Sequence, residues 1–176
     1  MLLIKATPEF ELHGISYPEF PLLFDKDMVL HWEAHEFLKH HLLMRGRVQS
    51  HKTWDTYGRA LYDYFGFLEA ADLDWRDSLA NASHSIVASY RDFAFQSGNA
   101  LATVRLRLTV IVKFYEYAER KRWIEALPFD FESITVSKPK GFIAHTDRSG
   151  GKTVTTSVMP KTTKRPVEIL TETQVK

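Results

Sequence analysis

Apolar residues recur at three- and four-residue intervals in four stretches of this chain, separated by segments rich in Gly, Pro and polar residues. That interval is the period of an α-helix with one buried face. The first stretch predicts a helix from about Met28 to Met44, with Val29, Trp32, Phe37, Leu38, Leu42 and Leu43 inward. Asp25 or Asp27 is placed to cap it, and Arg45 and Gly46 to end it. A second helix, Lys52 to Ala71 behind Ser50 or Thr53, turns Trp54, Tyr57, Leu61, Tyr64, Phe65 and Leu68 to one side. Lys52, Thr56, Arg59 and Asp63 fall on its opposite face, and Gly58 and Gly66 suggest close helix packing. A turn-rich connector carrying Trp75 leads to a third helix, Ser85 to Gln96, with Ile86, Val87, Tyr90, Phe93 and Phe95. The fourth, Leu101 to Arg122, buries Val104, Leu108, Ile111, Val112, Tyr115 and Ala118. It keeps Arg105, Thr109, Lys113 and Glu116 on a polar stripe. Trp123 to Phe129 is expected to fold back on the bundle, because Pro128 forbids continuation.

The flanks read differently. Residues 1–24 contain Pro8, Pro18 and Pro21, which exclude a long helix; Leu2–Ile4 and Phe10–Leu12 suit short extended pieces of an arm on the bundle surface. Residues 133–165 have the composition of a linker. Beyond them, residues 167–176 read as a short strand and then a helix start capped by Thr171. The expected division is therefore an arm (1–24), a helical domain (25–132) and a basic C-terminal segment (133–176).

Charge sharpens that division. The net charge of the 176 residues is only +1. Yet residues 1–132 hold 15 Lys and Arg against 19 Asp and Glu, while residues 133–176 hold 8 against 3. The basic excess sits in the C-terminal segment, so any nucleic-acid face on the helical part has to be local. Without cysteine there is no disulfide, thiolate metal site or cysteine nucleophile. No apolar run approaches the roughly 20 residues of a membrane span, and the N-terminus lacks signal-peptide architecture, so a cytoplasmic protein is expected.

The order and spacing of several short motifs carry a resemblance. Ser50, Thr53, Tyr57, Leu61 and Phe65 mark one helix; Thr103, Val104, Arg105, Arg107, Leu108, Thr109, Phe114 and Tyr115 mark another. Ala126-Leu-Pro-Phe129 stands where an Asn-Pro-Phe-like element would close the domain, lacking the Asn, and the run from Arg165 to Val175 follows. Over residues 25–176 the chain resembles the tyrosine recombinases of the phage-integrase type, in their core-binding domain and the entry to their catalytic domain. The resemblance implies an all-α fold: a compact four-helix, SAM-like core-binding bundle with an irregular arm and an extended basic linker. It also implies that the N-terminal ends of the second and fourth helices face duplex DNA. Position then nominates His51, Lys52, Thr56 and Arg59 in the second helix and Thr103, Arg105, Arg107 and Lys113 in the fourth. Lys138, Lys140 and Arg148 join them from the basic segment, together with His145, Lys152, Lys161, Lys164 and Arg165. The family often has basic residues where Leu106 and Val112 stand here, which shifts expected affinity toward that segment.

The same resemblance implies partners and the absence of chemistry. The partners are duplex DNA, the protein's own catalytic domain and other recombinase protomers in a synaptic complex, with no cofactor and no small-molecule substrate. The nucleophilic tyrosine and its phosphate-stabilising residues belong to the catalytic domain, at whose start the chain is expected to stop. Tyr57, Tyr62, Tyr64, Tyr90, Tyr115 and Tyr117 are expected to pack as aromatics with wet hydroxyls. His31 and His35 have the four-residue spacing of a helical zinc pair, but Glu33 is not adjacent to His31 and no third ligand follows. Gly150-Gly151-Lys152-Thr153 resembles a phosphate-binding loop but has Thr146 where the loop needs its first glycine. The alternative to DNA binding is a helical protein-interaction module, which would expose an apolar patch in place of a basic face.

Overall fold

The computed structural model describes residues 1–44, 50–77, 85–135 and 152–161. Among the described residues four α-helices appear: α1 (Trp32–Leu38), α2 (His51–Ala70), α3 (Ile86–Gln96) and α4 (Leu101–Arg120). α4 packs against each of the other three. A helix so surrounded is buried round most of its circumference, so Val110, Phe114 and Tyr117 join the expected stripe in the core. Trp75 tucks in at 5.1 Å from the Phe114 ring, and Trp123 and Phe129 return to Tyr117 and Tyr115.

Around the helices, among the described residues, lie three two-stranded antiparallel sheets. β1 (Leu2–Lys5) pairs with β4 (Pro21–Phe24), and the small β2 (Glu11–Leu12) with β3 (Ile15–Ser16). The arm is therefore ordered strand structure, and it enters the core where a surface position was expected. Phe20 and Leu23 are buried, with Phe10 stacked on Phe20 and Trp54 edge-on to it. Gly58 explains the close approach: a Cβ there would lie 2.6 Å from Cβ of Pro21. The glycine serves the contact between α2 and β4, whereas Gly66 meets nothing closer than 3.9 Å.

α1 starts later than periodicity predicts. The Asp25 carboxylate caps a turn by accepting from the N–H groups of Asp27 and Val29 at 2.9 Å, and Met28 takes φ 61°. His31 then caps α1 through Ala34 N–H, and residues Lys39–Met44 continue as a π-helical turn. Val29 and Trp32, expected inside, are 60% and 57% exposed because the capped turn precedes the helix. Phe93 and Phe95 of α3 are also exposed, since only one side of α3 meets α4.

The segment read as linker contains a third sheet. β5 (Phe131–Thr135) pairs with β6 (Lys152–Thr156) across the expected boundary at residue 132, and Val158 after β6 is buried. Its five-residue strands, Phe-Glu-Ser-Ile-Thr and Lys-Thr-Val-Thr-Thr, hold too few apolar residues to declare a two-residue alternation. Residues 45–49, which include Arg45 and Gly46, and the stretch from 167 to 176 lie outside the described residues. Among the described residues no helix is long and apolar enough to cross a membrane.

Candidate nucleic-acid interface

The beginnings of the four helices differ. α1 and α3 are closed by side chains, His31 accepting from Ala34 N–H and Ser85 from Ala88 N–H. α2 and α4 begin at Ser50 and Ala100 with no side-chain cap and no acid in the first turn. Among the described residues no side chain caps their first N–H groups, and the positive end of each helix dipole suits an anion.

Along α2, Lys52, Thr56, Arg59 and Asp63 follow at three- and four-residue steps on the outward face. Lys52 is exposed, and Thr56 returns its hydroxyl to the Lys52 carbonyl at 2.8 Å. Arg59 is exposed and bonds Asp55 at 2.7 Å. An exposed i,i+4 pair of this kind contributes about 0.3–0.5 kcal/mol and exchanges readily for another anion. At the start of the helix His51 stacks on Trp54 at 4.8 Å and lies 3.4 Å from Glu19 of the arm. Hydrogen bonds from His51 and Lys5 hold the Glu19 carboxyl below its ordinary range.

α4 divides its candidates. Arg105 and Arg107 are two residues apart, which turns them about 200° from each other around the axis. Arg105 donates to the Pro160 carbonyl beyond β6. Arg107 points to α2, where its Nη1 donates to Asp63 at 2.8 Å and to Asn99 at 3.3 Å. Lys113 also reaches α2, donating to the Tyr57 hydroxyl at 2.8 Å. Thr103 is half-buried in the first turn. The nominated cations of the described residues therefore do not share one face: Lys52 and Arg59 lie on the outer stripe of α2, which Arg107 joins through Asp63, while Arg105 and Lys113 lie beside the β5–β6 hairpin, Lys113 also bonding Tyr57 on the buried face of α2. Lys138, Lys140 and Arg148 lie outside the described residues.

The tyrosines and histidines take structural places. Tyr64 and Tyr115 are fully buried, not wet at the tip: their hydroxyls meet at 2.6 Å, and Tyr115 donates to the Trp75 carbonyl at 2.8 Å. Burial raises both phenols above their ordinary range. The hydrophobic period locates these rings, but only the crossing of α2 and α4 brings the hydroxyls together. His31 lies tilted against Phe65 at 4.0 Å between ring centres, and His35 sits edge-on to Phe10 and Phe20 with no partner for its Nδ1 among the described residues. No group of three or more metal-ligating side chains is found among the described residues. Of the Gly150–Thr153 run, Lys152 and Thr153 lie in β6 and the two glycines outside the described residues.

Comparison with curated proteins and with solved structures finds no match. Comparison with protein families finds one, described as phage integrase, N-terminal SAM-like domain, over residues 35–122. That span runs from α1 to the end of α4 and takes in half of the chain, with both uncapped helices inside it. The chain belongs to the phage-integrase family, through its N-terminal SAM-like domain.

Proposed function

We propose that this protein holds duplex DNA at a recombination site as the core-binding part of a site-specific tyrosine recombinase, while a catalytic domain performs strand transfer. One observation carries the reading. Among the described residues α2 and α4 begin without a side-chain cap or an acid in the first turn, and they are the two helices whose starts the resemblance to the family implies face DNA. Open N–H groups and the helix dipole suit phosphate oxygens, and Lys52 and Arg59 on the outer stripe of α2 supply neutralising charge. Arg107 reaches that stripe through Asp63, Arg105 stands apart beside the β5–β6 hairpin, and the sequence offers Lys138, Lys140 and Arg148 as further cations. Neighbouring protomers of a synaptic complex are the further partners, in the cytoplasm at phage or nucleoid DNA.

The test is duplex binding across a salt series. Each lost phosphate contact flattens the slope of log K against log salt by about 0.9. Lys52→Ala/Arg59→Ala is therefore expected to flatten it by about 1.8 and to weaken binding alike on all sequences. Salt-sensitive binding with an unchanged slope would move the contact to the basic segment. No binding at low salt would refute the stand-alone reading.

A second reading has its own observation. Tyr62, Gly66, Phe67, Ala70, Ala71 and Phe93 line an open groove of about 450 Å³ between α2 and α3, with Tyr62 and Phe93 exposed. Such an apolar surface suits a protein partner. Its α2 residues lie in the C-terminal half of that helix, away from the start behind Ser50.

A further inference from the structure

Among the described residues Arg107 is the nominated cation bound into the junction of three helices. Its Nη1 donates to Asp63 Oδ2 on α2 at 2.8 Å and to Asn99 Oδ1, just before α4, at 3.3 Å. The same Asp63 oxygen accepts from the Tyr90 hydroxyl of α3 at 2.6 Å. The Arg107 and Asp63 side chains are 23% and 32% exposed, against 70% for Arg59 in its pair with Asp55. A charged hydrogen bond in a half-buried setting, backed by a second donor on the carboxylate, is stronger than a mobile surface pair.

We infer that Asp63 is a specificity-determining residue, an internal competitor that keeps Arg107 from loose phosphate contacts. The inference rests on the DNA-holding reading above. Non-specific binding draws on every cation free to approach a phosphate. Arg107 is withheld from that pool by a carboxylate occupying the place of the phosphate. Only an acceptor held in register with the planar guanidinium, such as a guanine edge or a positioned phosphate, displaces it. Asp63 thus lowers affinity for arbitrary duplex and leaves a site-specific contact available.

Asp63→Asn tests this, because the amide oxygen still accepts from Tyr90 while the competing charge is gone. On a random-sequence duplex the variant is expected to bind more tightly, with a salt slope steeper by about 0.9. Its advantage over wild type then grows about 3.5-fold on going from about 200 to about 50 mM salt. Arg107→Ala alone should keep the wild-type slope, and Asp63→Asn/Arg107→Ala should lose the added slope. Wild-type binding that Asp63→Asn leaves unchanged overturns the inference alone. So does an added slope that survives loss of Arg107, or an Arg107→Ala variant that by itself flattens the slope. No wild-type binding at about 50 mM salt overturns the DNA reading and this inference together. Circular dichroism checks folding, and Asp63→Ser provides the same readout if the asparagine variant unfolds.

Discussion

Removing the Tyr115 hydroxyl should destabilise the protein more than removing the Tyr64 hydroxyl, although both rings are fully buried. The difference follows from proton placement. A phenol has one hydrogen to donate, and Tyr115 gives its own to the Trp75 carbonyl at 2.8 Å. Across the 2.6 Å contact Tyr64 must therefore be the donor and Tyr115 the acceptor. Tyr64→Phe loses one bond and leaves no donor stranded, because Tyr115 keeps Trp75; the cost is about 1 kcal/mol. Tyr115→Phe loses both bonds and strands the Tyr64 O–H, adding a desolvation penalty of about 1–3 kcal/mol to about 2 kcal/mol of lost bonds. The total is about 3–5 kcal/mol. In the double variant the stranded donor is gone, so it should be no less stable than Tyr115→Phe, at about 2 kcal/mol below wild type. Urea unfolding at constant m-value reads all three differences. Equal single-variant losses, or additive ones in the double variant, would refute the donor assignment.

Four further outcomes are expected. Gly66→Ala should stabilise the protein by about 0.5–1 kcal/mol from helix propensity, since its Cβ would meet only Met1 at 3.9 Å. Gly58→Ala should destabilise it by about 1–3 kcal/mol despite the same propensity gain, because its Cβ would overlap Pro21, and limited proteolysis should then cut the arm. Burial is the first cause that lowers the pKa of both His31 and His35; Lys39 adds to this at His35, while Glu33 and Glu36 oppose it. Their contribution to stability is therefore complete above the unfolded histidine value of about 6.5 and is lost as pH falls below it. His35→Phe should flatten the pH dependence of the urea midpoint below pH ~6.5; an unchanged slope would refute the assignment. In the DNA titrations, Lys52→Ala/Arg59→Ala should flatten the salt slope and Asp63→Asn steepen it, opposite signs from neighbouring positions on one helix.

The four helices and most of their buried faces were legible in sequence because helical burial is a periodic, local property. Tyr57, Leu61 and Phe65, or Val104, Leu108 and Ile111, declare a face without reference to the rest of the chain. In the arm Leu2–Ile4 and Phe10–Leu12 were legible as extended pieces, but their strand partners and the β5–β6 pair were not. A short strand is stabilised by a partner distant in sequence, and Gly58 acquires its meaning only when Pro21 is laid against it. Spacing put Lys52 and Arg59 on the polar face of one helix, where both do lie, while their nomination as DNA contacts came from the family resemblance. Arg105 and Arg107 looked equivalent in sequence, yet the turn of the helix sends one to Pro160 and the other to Asp63. Sequence alone determined the helical period, the family motifs and the charge contrast between the bundle and its C-terminal segment. Tertiary structure decided which cations are engaged, which tyrosine donates and which helix ends stay open, because each depends on atoms brought together from separate elements.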